Sequence, residues 1–159
     1  MKHILSVLVV NHPGVLAKVA GLFSRRGFNI DSLAVGVTND PEVSRMTILT
    51  QGDDSTVEQI ARQLGKLVDV IRVTDVSDNS VTRELALIKL RTSSETRGEI
   101  LEIINIFRAK VVDISTDFLT VEITGNAEKV NALEDMLKIF GIEEMVRTGI
   151  IAISRGKTV

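Results

Sequence analysis

One order of apolar periodicities occurs twice along this chain, and nothing else in the sequence restricts its fold as strongly. "ILSVLVV" (residues 4–10) has the composition of a buried strand, and the helix that follows it places Leu16, Val19, Ala20 and Phe23 on one face until Gly27 stops it. "FNIDSLAVGVT" and "VSRMTILTQG" are strands separated by "NDPE", a turn composition whose Pro a helix interior would not accept. The next helix begins at an N-cap-like Ser55, with Glu58 three positions on, and aligns Val57, Ile60, Ala61 and Leu64. "VIRVTDVS" closes the set. After the polar stretch "SDNSVT", the same order returns. "RELALIKLR" precedes a helix with Ile100, Ile103, Ile104 and Phe107 in register, then "KVVDIS" and "FLTVEITG". A helix with Val130, Leu133, Leu137 and Phe140 leads to a last strand, "GIIAIS".

Strand, helix, strand, strand, helix, strand is the split βαβ order. It predicts an α+β chain of two tandem ferredoxin-like βαββαβ domains, each an antiparallel four-stranded sheet with both helices on one face. The predicted boundaries are 1–76 for the first domain, 77–82 for a linker and 83–159 for the second. Units of about 75 residues have marginal cores, so uncovered sheet faces or edges are expected to take part in self-association.

Composition excludes much of the remaining chemistry. Lys plus Arg number 19 against 21 Asp plus Glu, a net charge of -2 that offers no general attraction to nucleic acid or an anionic membrane. The five Phe, with no Tyr or Trp, form no base-stacking signature. The absence of Cys rules out disulfides, thiolate catalysis and Cys-based metal sites. The two histidines, His3 and His12, lack a metal-ligand spacing; His12 either lines a pocket at its turn or is simply exposed there. Asp53–Asp54 and Glu143–Glu144 are read as solvated loop pairs, because neighbouring side chains on a strand or turn point apart. "GLFSRRG" lies late in a helix, where its arginines suit the helix C-terminus better than a phosphate. The apolar start ends after Val10, too short to span a membrane and without a cleavage site, so a cytoplasmic location is expected. A single ferredoxin-like unit can also act as an acylphosphatase, but that chemistry needs an arginine in the first strand-to-helix loop. Here the nearest basic residue is Lys18, inside the helix.

That loop, "NHPGVLAKV", is the most site-like segment. A helix start presents unpaired N–H groups and a partial positive charge, a seat for a small carboxylate. Pro13 gives up no needed donor there. Gly14 is expected to leave room where a ligand approaches the backbone. Asn11 and Asn29, at the end of the first strand and the start of the second, could both donate to and accept from one zwitterion. An ordinary strand-to-helix turn accounts for the same residues without a ligand.

"VVNHPGVLAKVAGLFSRRGFNIDSLAVG", followed by "RELALIKLR" and "RGEILEIINIFRAKVVDI", resembles over the whole chain the regulatory (small) subunits of acetohydroxyacid synthase, or acetolactate synthase, which begin with an ACT domain. The resemblance implies a non-catalytic chain that forms a homodimer through its ACT domains, activates a catalytic large subunit and mediates feedback inhibition by valine in branched-chain amino-acid biosynthesis. Thiamine diphosphate, magnesium and FAD would then belong to the catalytic subunit, with no cofactor on this chain. The implied effector site lies between ACT domains of two subunits and draws on Asn11, Gly14, Val15, Leu16, Asn29 and Ile30. A small apolar pocket discriminates a methylene only modestly, which leaves leucine and isoleucine as further ligands. The second domain is assigned to subunit contacts by the resemblance alone. A free-standing amino-acid-binding regulator and an acylphosphatase-like enzyme are the competing classes; copurification with a synthase and hydrolysis of acyl phosphates, respectively, would reveal them.

Overall fold

A computed structural model describes residues 1–157. Two compact units emerge, one formed by residues 1–81 together with the segment from Ile150 onward, the other by residues 82–149. In the first, β1 (Lys2–Val10), α1 (Val15–Arg25), β2 (Ile30–Val37), β3 (Val43–Gln51), α2 (Asp54–Gly65) and β4 (Val70–Asp75) follow in order. The sheet order is β2-β3-β1-β4, with every neighbouring pair antiparallel. The period of two along β1 and β3 sends Leu5, Val7, Val9, Met46 and Ile48 to the face covered by Val19 and Phe23 of α1 and by Ile60 and Leu64 of α2.

The second unit repeats this plan with β5 (Ser80–Arg91), whose first residues belong to the first unit, α3 (Arg97–Ile106), β6 (Lys110–Ile114), β7 (Phe118–Gly125), α4 (Ala127–Leu137) and β8 (Ile142–Arg147). Its order, β6-β7-β5-β8, is the same topology. Ala86, Ile88 and Leu90 of β5 meet Ile100, Ile104, Val130 and Leu133 in its core. The predicted architecture, α+β with two ferredoxin-like βαββαβ units, is the one observed. No helix among the described residues is long and apolar enough to cross a membrane.

The boundaries differ from those expected. The fourth strand of the second unit is β8, not "GIIAIS": Ala86 pairs with Arg147 and Ile88 with Met145. An edge strand exposes most of its side chains, so β8 carries charge where a buried strand would alternate. Glu143 and Glu144 accordingly sit on β8 rather than in a loop, paired with Arg91 at 3.1 Å and Lys89 at 3.2 Å. "IAIS" forms β9 (Ile151–Ser154) and belongs with the first unit, where the Ile150 N–H donates to Ser32 Oγ at 3.0 Å and the Arg155 N–H to the Asn79 carbonyl at 2.9 Å. Nor are residues 77–82 a free linker: Ser77 Oγ accepts the Ile4 N–H at 2.9 Å, and β5 has begun by Ser80. Their polarity comes from a turn, with Asn79 at φ 54°. The cap of α2 is Asp53, whose Oδ1 accepts the Thr56 N–H at 2.7 Å; Glu58 pairs with Arg62 instead of closing a capping box on Ser55.

Two interactions generate direct tests. Helix α1 ends in Gly27 at φ 71°, with the next N–H, from Phe28, returning to the Phe23 carbonyl; α3 ends the same way, Ala109 N–H to Ile104 carbonyl, but with Arg108 at φ 54°. The left-handed conformation penalises a Cβ. Arg108→Gly is therefore expected to raise stability by about 0.5 to 1 kcal/mol in urea unfolding. In the first unit, buried His3 bonds through Nδ1 to Asp75 at 2.9 Å, tying β1 to β4. Burial pushes the Asp75 carboxyl up, but hydrogen bonds from the Ser77 hydroxyl and N–H, then from His3, together hold it below its ordinary 3.8. Its contribution to stability is thus complete above pH 3.8 and is lost as the pH falls through the depressed folded-state value. Thermal melts between pH 2 and 6 should show Asp75→Asn losing less stability on acidification than the unsubstituted chain; equal losses would contradict that role.

Candidate functional site

The turn between β1 and α1 is held from both sides. The Val10 N–H donates to the Asp69 carbonyl at 2.9 Å and the Asn11 N–H to the Glu42 carbonyl at 2.8 Å. Asn11 also spends its side-chain amide here, donating from Nδ2 to the Pro41 carbonyl at 2.9 Å and accepting at Oδ1 from Ser44 Oγ at 3.1 Å. This residue fastens the turn to the β2–β3 connection. Gly14 then caps α1 at φ 86°, with no side-chain cap and no acidic residue in the first turn, and the first helical bond runs from the Lys18 N–H to the Gly14 carbonyl at 3.2 Å. The N–H groups ahead of Lys18 are left without intrahelical acceptors. By contrast, α2 and α4 are closed by Asp53 and by Asn126, whose Oδ1 accepts the Lys129 N–H at 3.0 Å.

The N–H groups and dipole of a helix start are chemically suited to a carboxylate. Lys18 takes no part in it: Nζ is engaged by Asp69 at 2.7 Å. Glycine is required at position 14 for a reason other than the expected one. A Cβ there would meet no atom within 4 Å, so space is not the constraint; the positive φ is. His12 is exposed.

The six expected site residues do not converge within one chain. Val15 is only 3% exposed and packs in the core, so it can offer a ligand its N–H but not its side chain. Leu16 is 45% exposed beside the turn, whereas Ile30 is half-buried against the core. Asn29 is exposed and donates from Nδ2 to Asp31 at 2.7 Å. Strand register explains the separation: Ile30 and His3 both pair with Thr50, while Val37 and Val9 both pair with Ser44. Thus β2 runs parallel to β1 with β3 between them. Asn29 lies level with the beginning of β1, and Asn11 follows its end. Nine residues of chain, from the level of Lys2 to Asn11, separate these levels, about 30 Å at roughly 3.3 Å per residue, too far for one amino acid to bridge.

Strand β2 is also an edge of its sheet, with no Lys or Pro along it and with Val35 and Val37 exposed by 48% and 58%. An edge of that kind is a template for another strand. The equivalent turn of the second unit is built differently, through a residue not anticipated from the sequence. Arg97, in the first turn of α3, donates from Nη2 to Thr92 Oγ1 at 2.9 Å and to the Ser115 and Thr116 carbonyls at 2.6 and 2.9 Å. The start of α3 has no side-chain cap either, but this cation ties the turn to the β6–β7 connection and Glu99 stands in its first turn. A basic residue next to a helix start, where the dipole disfavours it, is the signal that could have identified this role.

Comparison with known proteins finds a match for each half of the chain. Residues 5–72 match the family model described as the AHAS small subunit-like ACT domain, and residues 83–156 match that of the small subunit of acetolactate synthase. The acetolactate synthase small subunit of Mycolicibacterium smegmatis is 56% identical over 155 residues, 97% of this chain and 91% of the relative. That of Mycobacterium leprae is 52% identical over 97% of this chain and 92% of its own length. Among solved structures, the small subunit of acetolactate synthase from Thermotoga maritima superposes with a TM-score of 0.92 at 46% identity, covering 99% of both chains. With both halves of the fold and nearly the full length matched, the chain belongs to the family of acetolactate synthase small subunits, its first unit being the ACT domain.

Proposed function

We propose that this regulatory subunit binds valine between the ACT domains of two copies and through that site controls a catalytic large subunit. The observation that carries the reading is the distance between Asn11 and Asn29. Two copies paired antiparallel through their β2 edges would bring the start of one β2 beside the end of the other, next to the uncapped turn. The α1 N–H groups of one copy would take the ligand carboxylate. Asn29 of the other would meet its polar atoms, and Leu16 with the second copy's Ile30 would cover the isopropyl group. Asn11 holds the turn in shape and has residual capacity for a ligand, since an amide can make more bonds than the two it already makes.

Regulation then follows from linkage. Valine favours the paired arrangement that completes its site, and it inhibits in so far as that arrangement suits an active catalytic subunit less well than the unliganded one. Thiamine diphosphate, magnesium and FAD are assigned in this scheme to the catalytic subunit, and binding to that subunit is assigned to the second unit. The names of the relatives support a synthase partner. The exposed β2 edge supports the pairing.

Calorimetric titration of valine into the purified chain is expected to show saturable binding, absent for alanine, which leaves the apolar contact unfilled. Gly14→Asp should abolish binding by placing a carboxylate in the seat, while Gly14→Ala separates that charge from backbone strain, since its Cβ enters open space at the same φ. Undiminished binding by folded Gly14→Asp would overturn the assignment, as would loss of binding in both variants to the same degree.

A further inference from the structure

The face of the first sheet turned away from the helices carries a second constellation, independent of the valine site. Leu8 pairs on one side with Arg45 of β3 and on the other with Arg72 of β4, so two guanidinium side chains flank one apolar residue on the same face. Two residues along β1, Ser6 pairs with Thr74, which places two hydroxyls beside that row. The segment around β9 supplies Arg155 and Lys157 to the same cleft, of about 270 Å³. Four cations therefore converge in a chain whose net charge is -2.

The cleft's own carboxylates do not neutralise them. Asp75 is engaged by His3 and Ser77, which leaves Asp78 as the remaining acid. Arg45, Arg72 and Lys157 stand in no ion pair among the described residues; Arg155 donates from Nε to the Ser80 carbonyl at 3.3 Å, leaving the rest of its guanidinium available. Arg45 and Arg72 are two strands apart, about 10 Å at the backbone, and both side chains are long enough to reach over Leu8. An anion held between them would relieve their mutual repulsion. Planar guanidinium forks with adjacent hydroxyls offer more donors than one carboxylate can accept, and the excess of positive charge suits a dianion.

We infer that this cleft is a binding site for a phosphate group, either inorganic phosphate or the terminal phosphate of a nucleotide. Arg45 and Arg72 clamp it from the two sides, Ser6 and Thr74 donate from the floor, and Arg155 and Lys157 close over it.

The test is titration of the full-length chain with inorganic phosphate and, separately, with AMP, at ionic strength held constant with chloride, followed by backbone amide NMR shifts and by melting temperature. The expected result is a saturable response confined to amides near Ser6, Leu8, Arg45 and Thr74, with an accompanying rise in melting temperature. Equal affinity for the two probes assigns the site to free phosphate, and tighter binding of AMP assigns it to a nucleotide. Arg45→Gln with Arg72→Gln should weaken binding at least about tenfold, given two lost charge-assisted contacts, while Arg25→Gln on the far end of α1 should leave it unchanged. Absence of a saturable response to both probes, shifts centred elsewhere, or a double variant that binds as tightly as the unsubstituted chain would each overturn the inference. The NMR mapping keeps it testable even if the double variant does not fold.

Discussion

Antiparallel pairing of β3 with both of its neighbours is the constraint from which the functional geometry follows. Because β3 opposes β1 on one side and β2 on the other, β1 and β2 run the same way, and a turn that leaves β1 cannot approach the residues that enter β2. Hydrophobic alternation fixes that register: a slip of one residue would turn Leu5, Val7 and Val9 out of the core and Ser6 and Leu8 into it. The separation of Asn11 from Asn29 is thus as firm as the core itself. A site using both residues has to be shared between two chains, and sharing makes ligand binding and pairing two expressions of one equilibrium.

The repeat makes this specialisation visible. Both units have the same strand order, similar aliphatic cores and a first helix ended by the same left-handed turn, and neither first helix has a side-chain cap, yet the two strand-to-helix connections are built from different residues. In the ACT domain a Pro-Gly turn leaves the helix start open and uncapped. In the second unit the Arg97 guanidinium ties together Thr92 and the carbonyls of Ser115 and Thr116, so the corresponding position is structural. The repeated fold therefore does not repeat the Pro-Gly turn: α3 starts from Thr96 with Glu99 in its first turn, whereas α1 starts from Gly14 with no acid there. The Arg97 charge sits where a helix dipole disfavours it, and the three acceptors it reaches are what offset the cost.

How much was legible in the sequence depended on burial. Helix and strand positions with a strong period, such as Ile100–Ile104 or Val57–Leu64, are recovered with their inward faces, because the alternation that reveals them is the alternation that packs them. Strand β8 was obscured by its position at an edge, where Glu143 and Glu144 meet Lys89 and Arg91 rather than a core. "IAIS" has the better apolar pattern and reads as that strand, although it joins the first unit. The cap of α2 lies two residues before Ser55 because Asp53, Asp54 and Ser55 are all competent caps, and only the bond from Thr56 distinguishes them. At the candidate site the residue types suggested a carboxylate seat from the turn alone. The inward direction of Val15 and the remoteness of Asn29 depend on helix phase and strand register, which a list of polar residues does not contain.

The most direct test of a shared site is complementation between two inactive chains. Gly14→Asp and Asn29→Ala chains, each unable to bind valine alone, are mixed in equal amounts, dissociated and allowed to re-pair, and valine binding is measured by calorimetry. In an isologous dimer each mixed pair contains one doubly altered site and one intact site, so about a quarter of all sites should recover full affinity. Recovery near that fraction is the result predicted here. No recovery, in a mixture shown by mass spectrometry to contain mixed pairs, would contradict a site built from the turn of one chain and the β2 start of another.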